Sequence, residues 1–203
     1  MEYANRPDVL ILALPRGGVP VAYEIAQALN VPLDVCLVRK LGAPGQRELA
    51  MGAIAPGGIM VLNNEVLRNL RISRQGLLEV ATQEKQELDR RAQAYRGDRP
   101  LPEVRNRVVI LIDDGIATSA TLRAAITLLQ RQHPQKIVVA APVAPATVCQ
   151  SLRRLVQEVI CLSTPEPLSS IGMWYQDFSQ TTDEEVCRLL NLAAQRQTEC
   201  SLG

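Results

Sequence analysis

The run VLILAL, from Val9 to Leu14, constrains this chain more than any other stretch. It is continuously apolar, lacks the alternation of a half-exposed strand, and ends at a Pro-Arg-Gly-Gly turn. That pattern predicts a strand buried on both faces, as in a parallel sheet. Further strands are predicted at Asp34 to Arg39, Val108 to Ile112, Lys136 to Ala141 and Glu158 to Leu162. Helical patterns stand between them at Val19 to Leu29, Leu122 to Gln132 and Ala146 to Val156. Strands alternating with helices imply an α/β fold with a mostly parallel sheet flanked by helices.

The remaining segments are less regular. Gly42 to Gly58 is rich in Gly, Pro and Ala, with a short hairpin suggested by Leu49 to Ala55 and Ile59 to Leu62. Ser73 to Tyr95 reads as a long, highly charged helix that Ser73 can cap, its charges forming a solvated face. The linker RGDRPLPEVRN follows it, and a last helix is predicted from about Asp183 to Gln195.

Composition narrows the function classes. With 203 residues, 47% hydrophobic, 21% charged and a net charge of +1, the chain reads as a soluble globular protein of one domain, with or without a small appendage. Near-neutrality argues against broad electrostatic capture of nucleic acid. The apolar runs are too short to span a bilayer, and the N-terminus lacks a signal-peptide pattern. Five scattered cysteines without CxxC spacing fit small core residues in a reduced cytoplasm. The single histidine, His133, stands in a predicted loop, which disfavours histidine triads and zinc sites.

The chemistry concentrates in RVVILIDDGIATSAT, Arg107 to Thr121. A buried strand runs into Asp113 and Asp114, then into Gly115 and the small, hydroxyl-bearing residues Ala117, Thr118, Ser119, Ala120 and Thr121, which open a helix. In open parallel sheets, ligands bind outside the carboxyl ends of the strands. A turn of small residues at a helix N-terminus lets phosphate approach the backbone N–H groups. Carboxylates repel phosphate, so the part of the ligand beside them should be a hydrogen-bond donor or be bridged by a metal. A ribose diol carrying a 5′-phosphate meets both demands. A plain strand–turn–helix, with an aspartate or threonine capping the helix, fits the isolated stretch equally well. No GxxxxGK[ST], GxGxxG or DxD pattern occurs.

VVILIDDGIATSATL resembles the phosphoribosyl-pyrophosphate (PRPP) motif of type I phosphoribosyltransferases. LPRGGVPVA, Leu14 to Ala22, resembles that family's pyrophosphate loop after the first core strand, and Arg39-Lys40 matches the basic residues at the end of the second. The likeness extends over nearly the whole chain to bacterial phosphoribosyltransferase-like proteins with LPRGGVPVA, RKLGAPG and a WYxDF segment. It implies a type I phosphoribosyltransferase fold over residues 1–203, with a core at about 8–163 and hood and mobile-loop elements at about 41–72 and 164–203. It also implies a cytoplasmic enzyme that moves phosphoribose from PRPP to a nitrogen nucleophile with Mg2+ and releases pyrophosphate.

Carried over by position, Asp113 and Asp114 hold the ribose hydroxyls, and Gly115 with Ala117 to Thr121 receives the 5′-phosphate. Arg16, Gly17 and Gly18 take pyrophosphate, Arg16 and Gly17 through backbone N–H groups around a strained or cis peptide. Arg39, Lys40 and Arg47 stabilise the leaving group with Mg2+. The segment Leu41 to Gly58 resembles the mobile loop that closes over PRPP. Three of the six aromatic residues fall in MWYQDF, so Trp174, Tyr175 and Phe178 are candidates to stack on a planar acceptor, or to pin the C-terminal segment to the core. Asp177 is the candidate acid or base there. No protein ligand is assigned directly to the metal, and a homodimer is left open.

Three departures matter. Ala117 stands where purine-salvage members often carry an aspartate, which makes 6-oxopurines poor expected acceptors. Ser119 replaces a common glycine and would be strained at positive φ. The chain begins only a few residues before its first strand, so a leading hood segment is expected to be missing. The rival reading is a non-catalytic PRPP-sensing regulator of the same fold.

Overall fold

A computed structural model describes residues 2–97 and 99–201, apart from the side chains of residues 47, 48 and 198–201. The chain forms two compact units, Met1–Cys36 with Arg99–Ser119 and His133–Gly203, and Leu37–Asp98 with Ala120–Gln132.

The first unit is built on five strands: β1 (Val9–Ala13), β2 (Leu33–Val35), β6 (Val108–Ile112), β7 (Lys136–Val143) and β8 (Glu158–Ser163). Their order is β2-β1-β6-β7-β8, and every neighbouring pair is parallel. All ten residues of β1 and β6 are buried, as their unbroken apolar sequences predict. Each such Val, Leu or Ile contributes roughly 1.5–3 kcal/mol when removed from water. The helices α1 (Gly18–Leu29), α5 (Ala146–Leu152) and α6 (Asp183–Ser201) belong to this unit. Val19, Ala22, Ala26 and Leu29 form the buried stripe of α1, and Asn30 ends that helix in the left-handed region at φ 52°.

Strand order makes the middle of the sheet special. From β1 the chain leaves toward β2 on one side, whereas β6, β7 and β8 succeed one another on the other. The carboxyl ends of β1 and β6, paired through Ala13 and Ile112, therefore flank the topological switch point. At the opposite end, the first residues of β7 and β8 are tied by Lys136 Nζ, 2.7 Å from Glu158 Oε2 and 2.6 Å from Tyr3 Oη. Polar fastening at the amino edge leaves the carboxyl edge to loops.

The second unit contains an antiparallel sheet of β3 (Arg39–Ala43), β4 (Gln46–Ile54) and β5 (Met60–Leu62), with α2 (Asn64–Asn69), α3 (Arg74–Arg96) and α4 (Ala120–Gln130). Ala53, Ala55 and Leu128 are at its core, with Val38, Ile59, Val61 and Ala124 packed against them. The hairpin anticipated around β4 and β5 is present. The charged helix is also present, and the Ser73 hydroxyl accepts from the Gly76 N–H at 3.0 Å.

One expectation is corrected. Asp34 to Arg39 is not one strand: pairing with β1 stops at Val35, and Arg39 instead pairs antiparallel with Ile54. Pro44-Gly45, with Gly45 at φ 75°, closes a tight turn between paired Ala43 and Gln46, so the chain from Arg39 is taken into a hairpin. Leu41 to Gly58, the segment likened to a mobile loop, carries most of β3, all of β4 and the turn between them, with Leu41, Ala43, Met51, Ala53 and Ile54 buried. Among the described residues no helix is long and apolar enough to cross a membrane.

Candidate active site

Asp113 and Asp114 follow the last residue of β6, where the apolar run ends and the chain turns. The Asp113 Oδ1 atom accepts from the Asp114 N–H at 3.0 Å. Burial is the first cause of the rise in both pKa values. For Asp113 the charge of Asp114 adds to burial, and together they push it up to about 7. The pair is thus costly to ionise fully without a ligand that donates hydrogen bonds or carries positive charge.

The loop after β1 lies directly against this turn. A methyl carbon on Gly17 would stand 1.9 Å from Asp114 Oδ2, and one on Gly18 would stand 2.8 Å from the Ile112 carbonyl oxygen. A side chain at either place would push the acid aside or force the two loops apart, which explains the Gly-Gly pair without appeal to positive φ. The peptide between Pro15 and Arg16 is cis. The Gly18 N–H already donates to the Leu14 carbonyl at 3.1 Å, and the Arg16 guanidinium lies 3.8 Å from Asp183 at the start of α6.

Arg16, Gly17, Asp114, Tyr175, Asp177 and Phe178 line one cleft of about 450 Å3, with Pro20, Val21 and Ser179 to Thr181 completing its wall. Sequence reasoning reached the first six of these residues. Pro20 and Val21 were legible as part of LPRGGVPVA and of the helix that follows it, and Ser179, Gln180 and Thr181 carried no signal. Tyr175 donates from its hydroxyl to the Asp114 carbonyl at 2.5 Å, and its ring centroid lies 5.1 Å from that of Phe178. Burial, followed by the charges of Asp114 and Asp113, pushes the phenol up to about 12. Asp177 Oδ1 accepts from the Ser179 N–H at 2.8 Å. Trp174 is half exposed and is not among the residues lining this cleft.

A larger concavity of about 580 Å3 lies wholly within the second unit, lined by residues including Leu49, Ala53, Val61, Arg123 and Thr127. Its described lining holds no carboxylate, so size does not select it over the smaller, chemically equipped cleft.

The other predicted residues are distributed as follows. Gly115 is buried, Ala117 and Thr118 are exposed, and Ser119 is half-buried just before α4, which Ala120 and Thr121 open. Ser119 is not among the residues with positive φ, so the strain foreseen there does not arise. Arg39 and Lys40 stand at the start of β3 rather than at the end of a parallel strand, and the Arg39 guanidinium is bonded to Glu84 of α3 at 2.6 Å. The side chain of Arg47 lies outside the described residues. Among the described residues no group of three or more His, Cys, Asp or Glu could hold a metal ion.

Comparison with known proteins agrees with this fold. The family model described as "Phosphoribosyl transferase domain" matches residues 1–154. Two Mycobacterium tuberculosis proteins (strains CDC 1551 / Oshkosh and ATCC 25618 / H37Rv), provisionally named phosphoribosyl transferases, are 42% identical over 185 residues. That alignment takes in 91% of this chain but only 42% of the relatives' length, so the chain spans about two fifths of them. The crystal structure of TT1426 from Thermus thermophilus superposes with a TM-score of 0.82 at 41% identity, covering 92% of this chain and 88% of that one. A parallel sheet with acids at its switch point and matches of this extent have one common explanation: the chain belongs to the phosphoribosyl transferase domain family.

Proposed function

We propose that this chain binds Mg2+·PRPP and transfers its phosphoribosyl group to a nitrogen nucleophile, releasing pyrophosphate. The observation that carries the reading is the contact between the Gly17 backbone and Asp114, which brings the loop after β1 against the acid turn after β6. Asp113 and Asp114 accept hydrogen bonds from the ribose hydroxyls, and the run from Gly115 through Ala117 to Thr121 receives the 5′-phosphate through N–H and hydroxyl donors. The Arg16-Gly17-Gly18 loop takes pyrophosphate beside them. Arg39, Lys40 and Arg47 remain candidates for the leaving group, and Arg39 must first exchange Glu84 for it.

Two adjacent carboxylates cannot enclose a cation alone, but they fit a magnesium ion that keeps its water and phosphate ligands. Bound Mg2+ would supply positive charge that stabilises the departing pyrophosphate. The protein's own tasks are to orient the sugar, neutralise the leaving group and keep water from the cation-like anomeric carbon. Tyr175 and Phe178 offer apolar faces to a planar acceptor, and Asp177, which lines the same cleft, is the candidate to accept its proton. Ala117 cannot supply the acid used on 6-oxopurines, so hypoxanthine and guanine are expected to be poor acceptors.

Calorimetric titration with PRPP and Mg2+, followed by a pyrophosphate-release screen across nitrogen bases, tests the proposal. Asp113→Asn with Asp114→Asn should abolish measurable PRPP binding while the protein stays folded. Undiminished affinity in that double variant would refute the ribose assignment. Tight binding with no turnover on any base would instead make the chain a PRPP sensor.

A further inference from the structure

We infer that Tyr175 is a positioning residue, holding the Asp113–Asp114 turn in its ribose-binding conformation as part of a strap formed by residues 171–178. The inference rests on the PRPP reading and adds to it a role for a hydroxyl that touches no predicted ligand. Two independent contacts from one short segment fall on the backbone of the acid turn. The Tyr175 hydroxyl donates to the Asp114 carbonyl at 2.5 Å. One residue further along the turn, the Ile171 side chain fills the space that a Cβ on Gly115 would need, with carbons at 2.5, 2.9 and 3.1 Å.

The strap is itself braced. Phe178 covers Gly172 so closely that a methyl there would stand 2.9 Å from its ring, and the same ring meets Tyr175. A reason for such bracing follows from charge. Two adjacent, partly buried carboxylates repel each other, and an unrestrained turn would relieve the repulsion by swinging one of them into water. A hydrogen bond to the Asp114 carbonyl and a steric stop on the next residue oppose that movement without neutralising either acid.

Tyr175→Phe keeps the ring and removes only the hydroxyl, so it separates positioning from packing. Amide exchange at Gly115 and Ile116 should accelerate about five- to tenfold, the size expected for one lost hydrogen bond, with β7 unchanged. Affinity for ribose 5-phosphate should fall by a similar factor of about five to ten, while that for inorganic pyrophosphate stays within about twofold. Gly115→Ala should reproduce the selective loss, and Gly115→Ala combined with Ile171→Ala should recover much of it by vacating the contested space. Unchanged exchange in Tyr175→Phe, or equal losses for both ligands, would overturn the inference. If the unaltered protein bound neither ligand, the PRPP reading would fall, and the exchange rates would still decide whether the strap holds the turn.

Discussion

Asp113 concentrates the physical conflict of this protein in one side chain. Burial and the charge of Asp114 raise its pKa from 3.8 to about 7, so the folded state binds a proton more readily than the unfolded chain does. A raised folded pKa contributes stability that is complete below about 3.8 and is lost as pH climbs through about 7. Asp113→Asn removes this titration. It is expected to stabilise the protein by about 1–2 kcal/mol above neutrality, a figure reduced for partial solvent screening, and to change little near pH 4. Paired urea melts at the two pH values would check the sign, and equal effects at both would contradict it. Ligand binding should show the complementary trend. The ionised carboxylate accepts ribose hydroxyls more strongly than the neutral acid does, so PRPP affinity should rise between about pH 6 and 8 and then level off. That slope should be absent in Asp113→Asn.

At the scale of elements, the decisive feature is how closely the start of α1 approaches the end of β6. The two glycines there are not equivalent. A Cβ on Gly18 would meet the Ile112 carbonyl at 2.8 Å and Asp113 Cα at 3.1 Å, and backbone in a central strand cannot step aside. Gly18→Ala is therefore expected to cost about 1–3 kcal/mol of stability, the usual range for overpacking. The three atoms nearest a Cβ on Gly17 all belong to the Asp114 side chain, which can rotate. Gly17→Ala should leave stability nearly intact yet displace the carboxylate, weakening PRPP by on the order of tenfold. Melting temperature and PRPP affinity measured on both variants separate the two effects. The reverse assignment, with Gly17→Ala unstable and Gly18→Ala binding-deficient, would mean that the loop contact has been misread.

For the whole molecule, the proposed ligand is also a stabiliser. Anything that binds only the folded state adds RT ln(1 + [L]/Kd), about 2.7 kcal/mol at a hundredfold excess over Kd. In a chain of 203 residues that amounts to a rise of roughly 5–10 °C in melting temperature. PRPP with Mg2+ should produce it, and PRPP with a chelator should produce much less. A thermal scan in which neither condition shifts the transition would count directly against PRPP as the ligand.

The parallel sheet was legible because each of its central strands, VLILA and VVILI, is apolar at every position, a pattern with few other uses. The two acids and the small-residue turn were legible for the same local reason, since a buried strand cannot continue into charge and must end there. Ser73 as a cap and His133 in an exposed turn were equally local. Pairing partners were not local. Whether Arg39 continued a parallel strand or opened a hairpin depended on β4, and the Pro44-Gly45 turn that settles it was present in the sequence but unweighted. Glu84 as the partner of Arg39, 45 residues away, had no sequence signal at all. The same holds for Ile171 over Gly115, for Tyr175 on the Asp114 carbonyl and for the exposed position of Trp174. The sequence by itself determined the sheet and the chemistry at the end of β6, because apolar periodicity and charge act along the chain. Only tertiary structure decided which distant side chains brace that chemistry, because packing contacts form between residues whose separation in sequence carries no period.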